Sequence, residues 1–161
     1  VAETPVINAS PLIYLSKAEL IHLLQLLSPQ IFVPDAVATE ILHRGKSDIT
    51  AATIRQTAWL QVIETPTPLP IIQSWDLGRG ESAVLAWAYT HPGTEAIVDD
   101  LAARKCAAAL EISVRGTLGL ILVAKQRGEI AEARPVLNRL QQAGMYLSSA
   151  VINRALQLVG E

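Results

Sequence analysis

TPVINASPLIYLSK, residues 4–17, decides how the rest of the chain is read. PVIN (5–8) is a short β-branched run with the look of a buried strand. Ser10 and Pro11 follow as an N-cap with proline at the first helical position, where its missing N–H costs nothing. A strand that runs directly into a helix is the unit from which parallel sheets are built. Asn8 stands at the join.

The same alternation continues along the chain. Helical AELIHLLQLL (18–27) precedes the strand IFV (31–33), then Pro34, and Asp35 caps the helix 36–44. A helix over 47–58 leads to the strand LQVIE (60–64). Residues 65–80, with Pro66, Pro68, Pro70, Gly78 and Gly80, form the longest irregular segment. The helix 81–90, the strand EAIVD (95–99), the helix 101–111 and the short strand ISV (112–114) follow. Helical patterns at 116–128, 131–143 and 148–159 close the sequence. This is an α/β pattern with a mainly parallel central sheet covered on both faces. No repeat, charge block or low-complexity stretch breaks it, so the sequence predicts one domain over 1–161, its C-terminal helices at about 131–159.

Composition agrees. The 161 residues suit one compact unit, and half of them are hydrophobic, enough for a substantial core. The single cysteine, Cys106, rules out a disulfide framework and predicts a reducing, cytoplasmic setting. No basic stretch precedes an apolar run at the start, so a secretory signal is not expected. The longest apolar run, LGLILVA (118–124), falls well short of the ~20 residues a membrane span needs, so a soluble chain is expected. A net charge of −2 argues against a nucleic-acid coat but not against an enzyme with one local basic patch. Aromatics make up only 4% of the chain, too few for an obvious base-stacking platform.

Open parallel sheets hold ligands at the carboxyl ends of their strands. Asn8 ends the first strand, and Asp99 and Asp100 end the fourth. Glu81 opens the helix after LGRG, Thr117 opens the helix after the fifth strand, and Glu40 borders the apolar stripe of its own helix. Each has a plain structural reading. Glu81 suits the positive end of a helix dipole, Asp100 and Thr117 suit caps, and Glu40 can reach solvent. Asn8 can serve as a turn residue bonded to the following backbone. As a set they are harder to dismiss. Like charges ~4 Å apart oppose one another by ~4 kcal/mol at an effective dielectric near 20, which a hard cation relieves. Oxygen donors without histidine or cysteine point to Mg²⁺ or Mn²⁺. His22, His43 and His91 share no ligand spacing.

In combination, VINASPLI (6–13), the helix with Glu40, LGRGESAVLAWA (77–88), AIVDDLAARKCA (96–107) and GTLGLILVAKQRGEI (116–130) resemble a PIN domain. The match covers nearly the whole chain and is close to the branch of small prokaryotic PIN proteins similar to VapC-type toxins. The resemblance implies a three-layer α/β/α fold and a metal-dependent ribonuclease acting on single-stranded RNA. It implies an acidic site at Asn8, Glu40, Glu81 and the Asp99–Asp100 pair around Mg²⁺ or Mn²⁺. Thr117 matches a hydroxyl position and Ser10 the small polar residue after the first motif. It further suggests a homodimer and an antitoxin partner.

Asn8 departs from the pattern, which has aspartate there. Its amide oxygen can ligate a hard cation but brings no full charge, so weaker metal binding is expected. Arg44, Lys46, Arg79, Arg104 and Lys105 flank the acids and can hold phosphates; the plain reading is a mixed-charge surface. The leading expectation is phosphodiester hydrolysis of RNA. Its rival is a PIN-fold module with little or no catalysis that binds protein or RNA. A receiver-like signalling domain fits poorly, because the acidic pair follows the fourth strand and the first strand ends in asparagine. The apolar faces at 18–27 and 151–159 suit either partner contacts or the core.

Overall fold

The β-branched segments are too short to bury their apolar side chains alone, and they do so by pairing in one sheet. A computed structural model describes residues 3–161. Five strands, β1 (Val6–Ile7), β2 (Ile31–Pro34), β3 (Leu60–Ile63), β4 (Ala96–Ile97) and β5 (Val114–Arg115), pair in the order β3-β2-β1-β4-β5. Every pairing is parallel. Parallel neighbours need crossovers, and the intervening helices supply them. They are α1 (Ala9–Lys17), α2 (Asp35–Leu42), α3 (Ile49–Gln56), α4 (Pro70–Gln73), α5 (Arg79–Thr90) and α6 (Leu101–Ala109), while α7 (Thr117–Gln126) follows the last strand. Two more, α8 (Ala133–Gln142) and α9 (Ser149–Leu158), pack on α7 and on each other. The result is the α/β/α layering expected from the sequence.

β1 is central, with Val6 opposite both Phe32 and Ala96. Val6, Ile7, Ala96, Ile97 and Val98 have no exposed surface, as strands covered on both faces require. On one side of β1 the chain proceeds to β2 and β3, on the other to β4 and β5. The order therefore reverses between β1 and β4, and a crevice opens beyond their carboxyl ends. Among the described residues no helix is long and apolar enough to cross a membrane.

Four local expectations are corrected, the first being that Asp35 caps its helix: Pro34 is the N-cap of α2 and Asp35 is its first residue, without a side-chain cap bond. The N-cap of the first helix is Asn8, not Ser10, which places Pro11 third in α1. Proline is tolerated there because first-turn amides have no intrahelical partner. Residues 18–27 do not form an α-helix: α1 stops at Lys17, Glu19 takes a left-handed φ of 59°, and only Ile21–Leu26 coil, as a 3₁₀-helix. The segment 65–80 contains one helical turn, α4, begun by Pro70. The caps Asp48, Asp100 and Ser148 each accept a backbone N–H from the first turn they open.

Candidate active site

Asn8 follows β1 directly, and its backbone N–H is bound to Ile97 O at 3.0 Å. An asparagine at an N-cap ordinarily turns its side chain onto the helix amides. Here it does not. Asn8 makes no side-chain cap bond, is 2% exposed, and its Oδ1 is buried without a hydrogen-bond partner. A buried unpaired carbonyl costs roughly 1–3 kcal/mol, so its orientation calls for a reason.

Gly80, second residue of α5, shows what Asn8 faces. A Cβ on Gly80 would lie 3.0 Å from Glu40 Oε2, 3.1 Å from Asn8 Oδ1 and 3.3 Å from Val37 Cγ2. The end of β1, the flank of α2 and the start of α5 thus meet where there is no room for a methyl group. Glu40 is brought there by α2, whose Val37 and Ile41 are fully buried. Its position beside that stripe aims its carboxylate along the edge of the core.

Glu81 follows Gly80, and its carboxylate turns back onto Gly78, the residue that caps α5. Two residues past β4, Asp99 accepts hydrogen bonds from Thr117 N on Oδ1 and Thr117 Oγ1 on Oδ2, both 2.7 Å. Gly116, the N-cap of α7, has no side chain to do this, so Asp99 completes the helix start from a neighbouring strand. Asp100 points the other way, where Oδ2 accepts the Ala103 N–H at 3.0 Å and caps α6. Adjacent aspartates therefore take separate tasks.

Glu81, Asp99 and Asp100 share a cleft of about 420 Å³ with Ser10, Tyr14, Arg104 and Gly116; Leu118, Met145, Tyr146, Leu147 and Val151 complete its lining. Arg104 Nη1 lies 2.7 Å from where a Gly116 Cβ would be, and Asp99 Oδ1 lies 3.2 Å from the same point. The other four bases lie elsewhere. Arg44 pairs with Asp48 at 3.1 Å, and the exposed Lys46 gives its carbonyl to Arg55. Arg79 lines a separate groove of about 550 Å³ with the proline-rich segment, and Lys105 is exposed outside the cleft.

The donors near the sheet edge are oxygens throughout, which suits a hard cation. The unpartnered Asn8 Oδ1 beside Glu40 is the atom such a cation would satisfy. Even so, among the described residues no three His, Cys, Asp or Glu side chains stand close enough together to hold a metal ion. Asn8 and Glu40 converge at Gly80, while Glu81, Asp99 and Asp100 line the cleft. None of the three histidines lines it; His91 stacks on Trp87 with ring centres 3.9 Å apart.

Sequence reasoning did not single out Gly80 or Gly116, whose missing side chains set the spacing of the oxygens. Nor did it single out Tyr14 or Tyr146. The available signal was positional: Gly144-Met145-Tyr146 stands just ahead of the α9 cap, in the only turn between the last two helices.

Comparison with protein families finds a match over residues 4–161 to the family model described as a PIN domain. No curated protein matches the chain. PIN domains are in general nucleases that act on nucleic acid and typically use divalent metal ions.

Proposed function

The chain belongs to the PIN-domain family, and on that premise we propose that it is a ribonuclease hydrolysing phosphodiester bonds of single-stranded RNA. The observation that carries this reading is the buried, unpartnered Oδ1 of Asn8 beside the Glu40 carboxylate at Gly80. Ser16, Thr50 and Thr94 also have buried hydroxyls without partners, but Asn8 Oδ1 alone of these is placed against an acid at the end of the central strand, where a ligand would satisfy it. Asn8, Glu40, Glu81 and Asp99 are the residues to hold Mg²⁺ or Mn²⁺, with Asp100 retained as the cap of α6. When bound, such an ion supplies an activated water and neutralises charge on the phosphate. Thr117 fixes the Asp99 carboxylate, and Arg104 offers its guanidinium to a backbone phosphate in the same cleft. Ser10 lines the entrance beside them.

Calorimetric titration with Mn²⁺, repeated on Glu40→Gln and Glu81→Gln, tests the metal assignment, and cleavage of a labelled single-stranded RNA tests the activity. Absence of binding in the parent, or binding unchanged from the parent in both variants, rejects it.

A second reading is a weak or inactive PIN-fold module that binds RNA or protein. Two observations favour it: Asn8 is neutral, and both Asp99 oxygens already accept bonds from Thr117. Restoring aspartate at position 8 separates the two readings, since gained cleavage marks an attenuated enzyme and continued inactivity of a folded variant marks a binding module. On the first reading the chain is one PIN unit, of the VapC-like toxin type, working as a homodimer with a small antitoxin. Light scattering after size exclusion tests the dimer, and a monomer at working concentration rejects it.

A further inference from the structure

Among the described residues, the most exposed large apolar side chain is Tyr146, at 87%. It sits in the turn between α8 and α9, at the mouth of the acid-lined cleft. That turn is well held. Met145 and Leu147, on either side, pack against the core. Met145 N bonds Leu140 O at 3.0 Å, Gln141 Nε2 bonds Leu147 O at 3.3 Å, and Ser148 caps α9. Neighbours anchored inward leave the Tyr146 ring projecting outward from a fixed base, so little ordering entropy would be lost on contact.

In the lining of the same cleft, the Arg104 guanidinium makes no hydrogen bond or ion pair among the described residues. An aromatic face and a free cation flanking one groove are the two elements by which proteins grip single-stranded nucleic acid: the ring stacks on a base, the cation tracks the backbone. The cleft, at about 420 Å³, lies within the range of about 300–1,000 Å³ typical of ligand sites.

We propose that Tyr146 is a nucleobase-stacking residue, pairing with Arg104 to seat one nucleotide of single-stranded RNA in the cleft. The assignment rests on the RNA reading above but not on catalysis. Because stacking uses the π-face common to every base, this subsite tolerates any base identity.

The test is binding of a short oligouridylate, and of the same backbone without bases, to the full chain in EDTA, followed by fluorescence anisotropy. Tyr146→Ala is expected to weaken oligouridylate binding roughly 5- to 150-fold. Tyr146→Phe keeps the affinity, and Tyr146→Ala leaves the abasic oligomer unaffected. Arg104→Gln weakens both oligomers and lowers the salt dependence. An unchanged Kd for Tyr146→Ala, an equal loss on the abasic oligomer, or no binding by the wild type overturns the proposal. Stacking without any RNA cleavage once Mn²⁺ is restored would uphold it while rejecting the nuclease. Cleavage with an indifferent Tyr146→Ala would do the reverse.

Discussion

Thr117 holds Asp99 by two bonds at once, its amide on one carboxylate oxygen and its hydroxyl on the other, each at 2.7 Å. Because the two residues each stand two positions past successive strands, the contact both starts α7 and fixes the direction of an acid at the sheet's switch point. Thr117 has no exposed surface, so replacement by valine keeps the shape and the amide bond but removes the hydroxyl. We expect Thr117→Val to lower stability by about 1–2 kcal/mol in urea unfolding, and Thr117→Ser to recover most of it.

Gly80→Ala sets helix propensity against space. In a helix, alanine is favoured over glycine by up to about 1 kcal/mol, but this methyl would press on Glu40 Oε2 and Asn8 Oδ1. Glu40 is exposed and its carboxylate can swing away, so the fold should survive with a stability change within about 1 kcal/mol. Mn²⁺ binding should fall sharply in the same variant, since the two oxygens can no longer approach. Thermal unfolding beside calorimetry separates these effects, and retention of full metal affinity contradicts the site.

Asn8→Asp places a carboxylate in a buried position beside Glu40. In EDTA this variant should be less stable than the parent by at least about 1 kcal/mol, from lost hydration and like-charge repulsion. Mn²⁺ should reverse the sign, because a ligand that binds only the folded state raises its melting temperature. A melting temperature indifferent to Mn²⁺ argues against position 8 as a ligand.

Glu161 closes the far side of the fold. Its carboxylate accepts the Ala133 amide at 2.6 Å and the Arg134 amide at 3.2 Å, with Lys125 Nζ 3.5 Å away. The Ala133 bond above all holds its carboxyl below the usual value of 4.5; burial opposes it, and Arg134 and Lys125 add smaller lowering effects. A lowered folded-state pKa means that its stabilising contribution is complete above pH 4.5 and fades as pH falls through the lowered value. The stability gap between wild type and Glu161→Gln should therefore be constant near neutrality and shrink in acid. A gap unchanged down to pH 2 would contradict the assignment.

Much of this architecture was legible because β-branched runs, prolines and capping residues are local signals. Asp48, Asp100 and Ser148 are caps that carry out in the fold what their residue type suggests. The segment 18–27 was misread for a non-local reason. Its apolar spacing suits an α-helix, but Arg139 donates to Ala18 O and Arg127 donates to Leu26 O at 2.6 Å. These carbonyls are satisfied from more than a hundred residues away, and no local pattern announces that. The acids stood out at the site because strand ends are easy to find. Which aspartate caps and which faces Thr117 depended on side-chain direction, and the spacing of Asn8 and Glu40 depended on a glycine in a third element. Low aromatic content argued against base stacking, whereas one tyrosine placed at the cleft is what bears on it.

The central position of β1 also bears on the order of assembly. Asn8 is synthesised well ahead of the strand beside it, β4, and of the aspartates beyond it, which lie about ninety residues further along the chain. Parallel pairing over such separations is slow to form, because loop closure precedes its reward. A nascent chain stopped before β4 carries Asn8 and Glu40 without the other wall of the crevice. On the proposed reading, Asp99 joins Asn8 and Glu40 only once β4 has paired, and Thr117 binds Asp99 only once β5 has joined.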